Sequence, residues 1–315
     1  MPDNRIRYFT IPNIITLLNL FSGSLAIFIA FENPDNLIIS AYLIGLSTIF
    51  DFFDGFTARL LKQYSEIGKQ LDSLADLVSF GVAPSAILFQ MMQKAIKVNQ
   101  VNPDMELIDG LLLASVALII LFSALRLAKF NVDTTQTTGF KGLATPASAI
   151  FIASLPIIKE FDPDKLFLLK EVLDIDLPFN VILGLLGFQI FILESYKFFL
   201  PVIVIISLLM ISDLPMFSLK FKNYSWRYNR RRYIFLIISI ILILTIQTLA
   251  IPAIIILYIF ASLLLWIMGK AKQANLPFEI EAHNLEARKN GMNGSSENTI
   301  IILEKELKTE FKLFE

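Results

Sequence analysis

The chain has 315 residues, 55% of them hydrophobic and only 17% charged, with a formal net charge of −1. Soluble domains carry about 25% charged residues, so part of this chain's solvent is lipid, and there is no global basic signal for nucleic acid. The absence of Cys excludes disulfides, thiolate zinc sites and thiol nucleophiles, and a single His283 in a polar tail argues against a His-based triad or a His-held metal.

A spanning helix needs about 20 mostly apolar residues. Eight such segments are predicted, near 12–31, 37–61, 71–93, 107–130, 143–158, 196–217, 233–250 and 252–269. Arg5 and Arg7 precede the first, which ends in Phe31-Glu32-Asn33 rather than small residues and is therefore read as a retained helix. Asn13 and Asn19 lie on it and either face a ligand or bond between helices. The fifth segment is short, and Pro146 and Pro156 predict an irregular start and end. The stretch 177–193 is a ninth candidate, read as interfacial or partly buried because it follows an acidic region and contains two Gly.

Charges in the loops alternate. Arg59, Lys62 and Lys69, then Arg126, Lys129 and Lys141, then Arg227 and Arg230–Arg232, then Lys270 and Lys272 fall on one side. Glu32 and Asp35, Asp104 to Asp109, and Glu160 to Asp176 fall on the other. The positive-inside rule then places both termini in the cytoplasm. A ninth helix at 177–193 puts Arg230–Arg232 on the wrong side. The Arg227–Arg232 run reads as an anchor to anionic headgroups. Residues 290–298 read as a linker, and 300–314 as an amphipathic surface helix.

The chemistry is concentrated between Asp51 and Ser85. Asp51 and Asp54 are three residues apart, about 60° on a helix, with Gly55 and Ala58 on the same face. Asp72 and Asp76 are four apart, about 40°, with Gly68 and Ser79 beside them. Four carboxylates near hydrocarbon are costly and repel one another, and a divalent cation, or a pair, relieves both effects. With no Cys and no membrane His, the ligands are oxygens, which suits Mg²⁺, Mn²⁺ or Ca²⁺. Solvated helix-end charges and a proton or cation pathway are the competing readings.

These residues resemble the signature of the CDP-alcohol phosphatidyltransferases, D-x2-D-G-x2-A-R-x8-G-x3-D-x3-D. Asp51, Asp54, Gly55, Ala58, Arg59, Gly68, Asp72 and Asp76 match all eight fixed positions across 26 residues. IPNIITLLNL, DLVSFGVAPS, ALRLAKFNV, FKGLATPASA and PMFSLKFK extend the likeness toward the bacterial and archaeal-type subgroup whose acceptor is L-serine. The acidic stretch at about 159–195 is longer than that subgroup leads one to expect.

The hydropathy pattern gives an all-α polytopic membrane protein of about eight transmembrane helices, and the resemblance implies a six-helix core within it. That core, at 1–217, would be followed by a basic loop and helical hairpin at 218–272 and a cytoplasmic tail at 273–315. The resemblance also implies a homodimer in the bacterial inner membrane, with CDP-diacylglycerol as donor and two ions, Mg²⁺ or Mn²⁺. Asp51, Asp54, Asp72 and Asp76 would be the metal ligands, and Asp76 also the general base. Gly55, Ala58, Arg59 and Gly68 would take the nucleotide. Arg126, Lys129 and Ser79 are the acceptor-side candidates.

Overall fold

The computed structural model describes residues 9–99, 106–132, 140–158, 187, 196–216 and 225–268. The candidate segment 177–193 (apart from residue 187), the linker 290–298 and the helix 300–314 lie outside the described residues.

Each of the eight predicted segments coincides with helix. The described helices are α1 Ile11–Glu32, α2 Ile38–Leu60, α3 Glu66–Asp76, α4 Ala83–Asn99, α5 Glu106–Ser115, α6 Ala117–Val132, α7 Thr145–Ile157, α8 Tyr196–Ile211, α9 Trp226–Ile246 and α10 Ala250–Met268. α3 and α4 join through a π-helical turn, Leu77–Val82, into one span. Among the described residues five spans are long and apolar enough to cross a membrane, while α7 and α8 are shorter apolar helices. The chain is an all-α polytopic membrane protein. Its described strands, β1 Phe140–Lys141 and β2 Pro215–Met216, form a two-residue antiparallel pair that the hydropathy pattern did not announce.

The faces of α1 explain why it sits where it does. Thr10 caps it and Pro12 occupies its first turn, where a missing N–H costs nothing. Its buried face is small and polar: Pro12, Asn13, Thr16, Asn19, Ser22, Gly23, Ala26 and Ala30. Its exposed face carries Leu17, Leu18, Phe21 and Phe28. α2 repeats the arrangement, burying Ser40, Ala41, Ile44, Ser47 and Asp54 and exposing Tyr42, Ile49, Phe52 and Phe53. Large apolar side chains outside and small or hydroxyl side chains inside are what lipid solvation selects, because helices then approach closely and bond across the contact.

The chain comprises two units, each packed within itself. The first comprises Met1–Thr134, Leu143–Ser212 and Ser239–Ile255. In it α1 packs on α2, α3, the π turn and α4, α2 packs on α7, and α6 packs on α8. Its core includes Phe80, Ile87, Leu88, Met92, Ile152, Phe199 and Ile203, all fully buried. α7 is short, as expected, but its ends are regular: Pro146 sits in the first turn, where its missing N–H costs nothing, and Pro156 lies inside the last. The second unit comprises Thr135–Gly142, Asp213–Ile238 and Ile256–Glu315. It contains the strand pair, a stack of Trp226 on Tyr233 at 5.3 Å, and a kink at Asn229, whose Oδ1 accepts from Arg232 at 2.7 Å.

The π turn was not expected. It has a local cause: Pro84 lacks an N–H and its ring clashes with the carbonyl four residues back in an α-helix. A wider turn removes that conflict, and the Ala83 N–H bonds to the Val78 carbonyl five residues back. The turn presses against α1 at Gly23, where an added Cβ lies 2.6 Å from the Ser79 Cα. Backbone cannot yield there as a flexible side chain can. Gly23→Ala is therefore expected to destabilise the bundle by about 1–3 kcal/mol, seen as a lower melting temperature in detergent. An unchanged melting temperature contradicts this packing.

Candidate active site

The candidate site lies wholly in the first unit and is built by the ends of α1, α2 and α3. α2 closes with a Schellman arrangement: the Gln63 N–H bonds to the Ala58 carbonyl at 3.0 Å and Lys62 stands at φ 52°. The chain reverses there, and Ser65 caps α3 by accepting from the Gly68 N–H at 3.0 Å. The reversal brings the aspartates of α2 toward those of α3.

Asp51, Asp72 and Asp76 each offer a carboxylate oxygen, and these oxygens lie within 4.8 Å of one another. Asp76 is 8% exposed and Asp54 is 6% exposed. Asp54 stands outside that trio. Its Oδ2 accepts from the Thr16 hydroxyl at 2.8 Å, which turns it toward α1. Asn19 donates from Nδ2 to Asp76 Oδ1 at 3.3 Å. Thr16 was missed on the sequence, although Asn13, Thr16 and Asn19 form a polar row at i, i+3, i+6 along an otherwise apolar helix.

A cleft of about 490 Å³ opens beside the trio. Pro12, Asn13 and Thr16 of α1 line one side, and Asp54, Gly55 and Ala58 of α2 another. The turn from Gln63 to Ser65 and the start of α3, with Gly68, Lys69 and Asp72, complete it. This volume falls in the range of small-molecule sites. Asp72 belongs to both the trio and the cleft lining. Gly55 leaves the cleft open: a Cβ there meets only Arg59 Nη2, at 3.9 Å. Gly68 has a packing reason as well, since its Cβ would come within 2.9 Å of Asn13 Oδ1 and Ser65 Oγ.

The remaining candidates are spread out. Arg59 is exposed and lies at the rim, near Gly55, rather than in the lining. Ser79 is buried and its hydroxyl donates to the Asn19 carbonyl at 3.0 Å. Arg126 is buried on α6 and reaches Thr145 Oγ1 at 3.4 Å, at the start of α7. Lys129 is exposed. Near it, Lys69 Nζ donates to the Asn131 carbonyl at 3.2 Å and Asn131 Nδ2 donates to Ser73 at 2.8 Å, clipping α3 to the end of α6.

The trio fits a hard divalent cation. Opposite oxygens around such an ion, each bonded at about 2.1–2.4 Å, are about 4.2–4.8 Å apart. Ionised carboxylates 4.8 Å apart repel by roughly 3 kcal/mol per pair at an effective dielectric of 20. A bound cation converts that repulsion into attraction.

The chain is similar to "CDP-diacylglycerol--serine O-phosphatidyltransferase" of Helicobacter pylori, 30% identical over 250 residues, covering 76% of this chain and 97% of that protein. A protein of the same name from Bacillus subtilis is 35% identical over 147 residues, 46% of this chain and 74% of its own. "Archaetidylserine synthase" of Methanothermobacter thermautotrophicus is 33% identical over 157 residues, 49% and 61%. The family model for CDP-alcohol phosphatidyltransferase matches residues 9–193, a stretch that holds every aspartate of the trio and all of the cleft. On signature, fold and match together, the chain belongs to the CDP-alcohol phosphatidyltransferase family.

Proposed function

We propose that the chain transfers the phosphatidyl group of CDP-diacylglycerol to L-serine, giving phosphatidylserine and CMP. The observation that carries this reading is Asp72, which joins the carboxylate trio to a nucleotide-sized cleft. The serine acceptor is supported by the names of the similar proteins.

The serine hydroxyl oxygen forms a bond to the lipid-linked phosphorus, the bond from that phosphorus to the CMP oxygen breaks, and Asp76 takes the hydroxyl proton. Its position among carboxylates on the buried side of the trio suits a base that must reach a bound hydroxyl directly or through one water. Two bound Mg²⁺ or Mn²⁺ ions would stabilise the charge on the departing CMP. Asp51, Asp72 and Asp76 would hold one, with Asp54 and the shared Asp72 serving the second from the cleft side. Gly55 and Ala58 leave the nucleotide room against α2, with Gly68 closing the facing helix and Arg59 meeting phosphate at the rim. Arg126 binds the serine carboxylate. Ser79 acts on the site by fastening the π turn to α1, and Lys129 anchors α6 at headgroup level.

The chemistry resides in residues 1–217 of a homodimer in the bacterial inner membrane, with the cleft and both termini facing the cytoplasm. Incubating the purified chain with CDP-diacylglycerol, Mn²⁺ and one acceptor at a time tests the assignment. Phosphatidylserine and CMP are expected with L-serine. Product with glycerol 3-phosphate or an inositol phosphate, and none with serine, overturns it. The likeness to an archaetidylserine synthase makes an ether-lipid donor a useful further arm.

A further inference from the structure

Asn19 is fully buried at the centre of α1, in contact with the carboxylate trio. Its backbone is held from two sides: its carbonyl accepts from Ser47 of α2 at 3.2 Å and from Ser79 of the π turn at 3.0 Å. Gly23, one turn on, lets the π turn approach. The side chain therefore has a fixed origin. Its Nδ2 donates to Asp76 Oδ1, yet its Oδ1 is buried with no hydrogen-bond partner. Native interiors rarely leave a buried amide oxygen unsatisfied, and the usual reason is a water or an ion. A leucine would fill that space without either demand. An asparagine with its N–H on a carboxylate and its oxygen left over is built to serve both the carboxylate and a cation beside it.

We propose that Asn19 is a positioning residue of the metal centre. Its N–H fixes the rotation of Asp76, and its amide oxygen completes the shell of a divalent cation held by the trio, directly or through a water on that cation. The proposal rests on reading the trio as a metal site. It adds a neutral oxygen from α1, outside the signature, to the carboxylates of α2 and α3.

Mn²⁺ binding to the purified full chain, followed by electron paramagnetic resonance without substrates, tests it alongside CMP release. Outer-shell partners are worth 10–100-fold in metal affinity. Asn19→Leu is expected to weaken Mn²⁺ at least about tenfold. Asn19→Asp keeps an oxygen and adds charge; it should bind Mn²⁺ as tightly as the native chain or more so. Having lost the donor to Asp76, it should still turn over at least about tenfold more slowly. Should Asn19→Leu fail to fold, Asn19→Ser replaces it, because a hydroxyl on a shorter stem does not reach and the same weakening is expected. Native Mn²⁺ affinity in the Leu or Ser variant overturns the proposal, as does a native chain that binds no Mn²⁺. If the Mn²⁺ differences appear but no acceptor yields CMP, the transfer reading fails and the Asn19 assignment stands. If transfer proceeds with unchanged Mn²⁺ affinity in every variant, the reverse holds.

Discussion

Asp72→Ala is expected to abolish phosphatidyl transfer, with CMP release falling on the order of 10³-fold or more. No other aspartate contributes both to the trio and to the cleft lining through its position on α3. Asp54 lines the cleft but stands outside the trio, while Asp51 and Asp76 belong to the trio but not to the lining. Lewis-acid stabilisation of a departing phosphate is worth several kcal/mol, and each 1.36 kcal/mol is tenfold in rate. On the proposed two-ion reading, losing Asp72 would disturb both ions, so the whole of that stabilisation is at stake. Asp72→Asn keeps the shape and removes the charge, and it should lose nearly as much. Both variants should stay folded, because Asp72 is only half-buried and its removal relieves carboxylate repulsion. Size-exclusion profiles, Mn²⁺ titration and CMP release check the three statements together. A folded Asp72→Ala chain with activity within tenfold of native removes the trio from the chemistry.

Asp76→Asn is expected to separate proton transfer from binding. A positioned general base contributes about 10²–10⁴-fold. The variant should lose that much in kcat, with a similar loss in kcat/KM, because the missing interaction is made in the transition state. KM for serine and for the CDP-lipid should move little. Mn²⁺ affinity should fall less than in Asp72→Ala, since the asparagine keeps an amide oxygen where alanine keeps none, and Asp72, shared between trio and cleft, remains. If kcat is unchanged while KM rises, Asp76 is a binding residue and the base lies elsewhere. Activity equal to native at every Mn²⁺ concentration would show that Asp76 has neither role.

These expectations depend on how the helices meet more than on which residues they contain. Asp51, Asp54, Asp72 and Asp76 look equivalent as two i,i+3 and i,i+4 pairs. In the folded chain they are not: Thr16 draws Asp54 toward α1, and Asn19 holds Asp76 in the trio. Ser79, a candidate for touching the acceptor when read from its helical neighbours, has its hydroxyl on the Asn19 carbonyl. Arg59 shares a face with Gly55 but is long enough to leave the cleft for its rim. A helical wheel gives direction from one axis and says nothing of what stands opposite.

The order of residues along the chain is enough to place the helices and to locate the chemistry within them. Lipid cannot satisfy backbone N–H and C=O groups, so each apolar run of sufficient length must close its bonds internally as a helix, and hydropathy reads out its position. Spacings of three and four residues keep two carboxylates on one helix face whatever the helix packs against. Packing between helices settles which three carboxylates converge and which helix supplies their hydrogen-bond donors. Those outcomes depend on close approach between helices distant in sequence, through Gly23 against Ser79 and Gly68 against Asn13. Such contacts are set by shape complementarity across α1, which no periodicity along a single segment encodes.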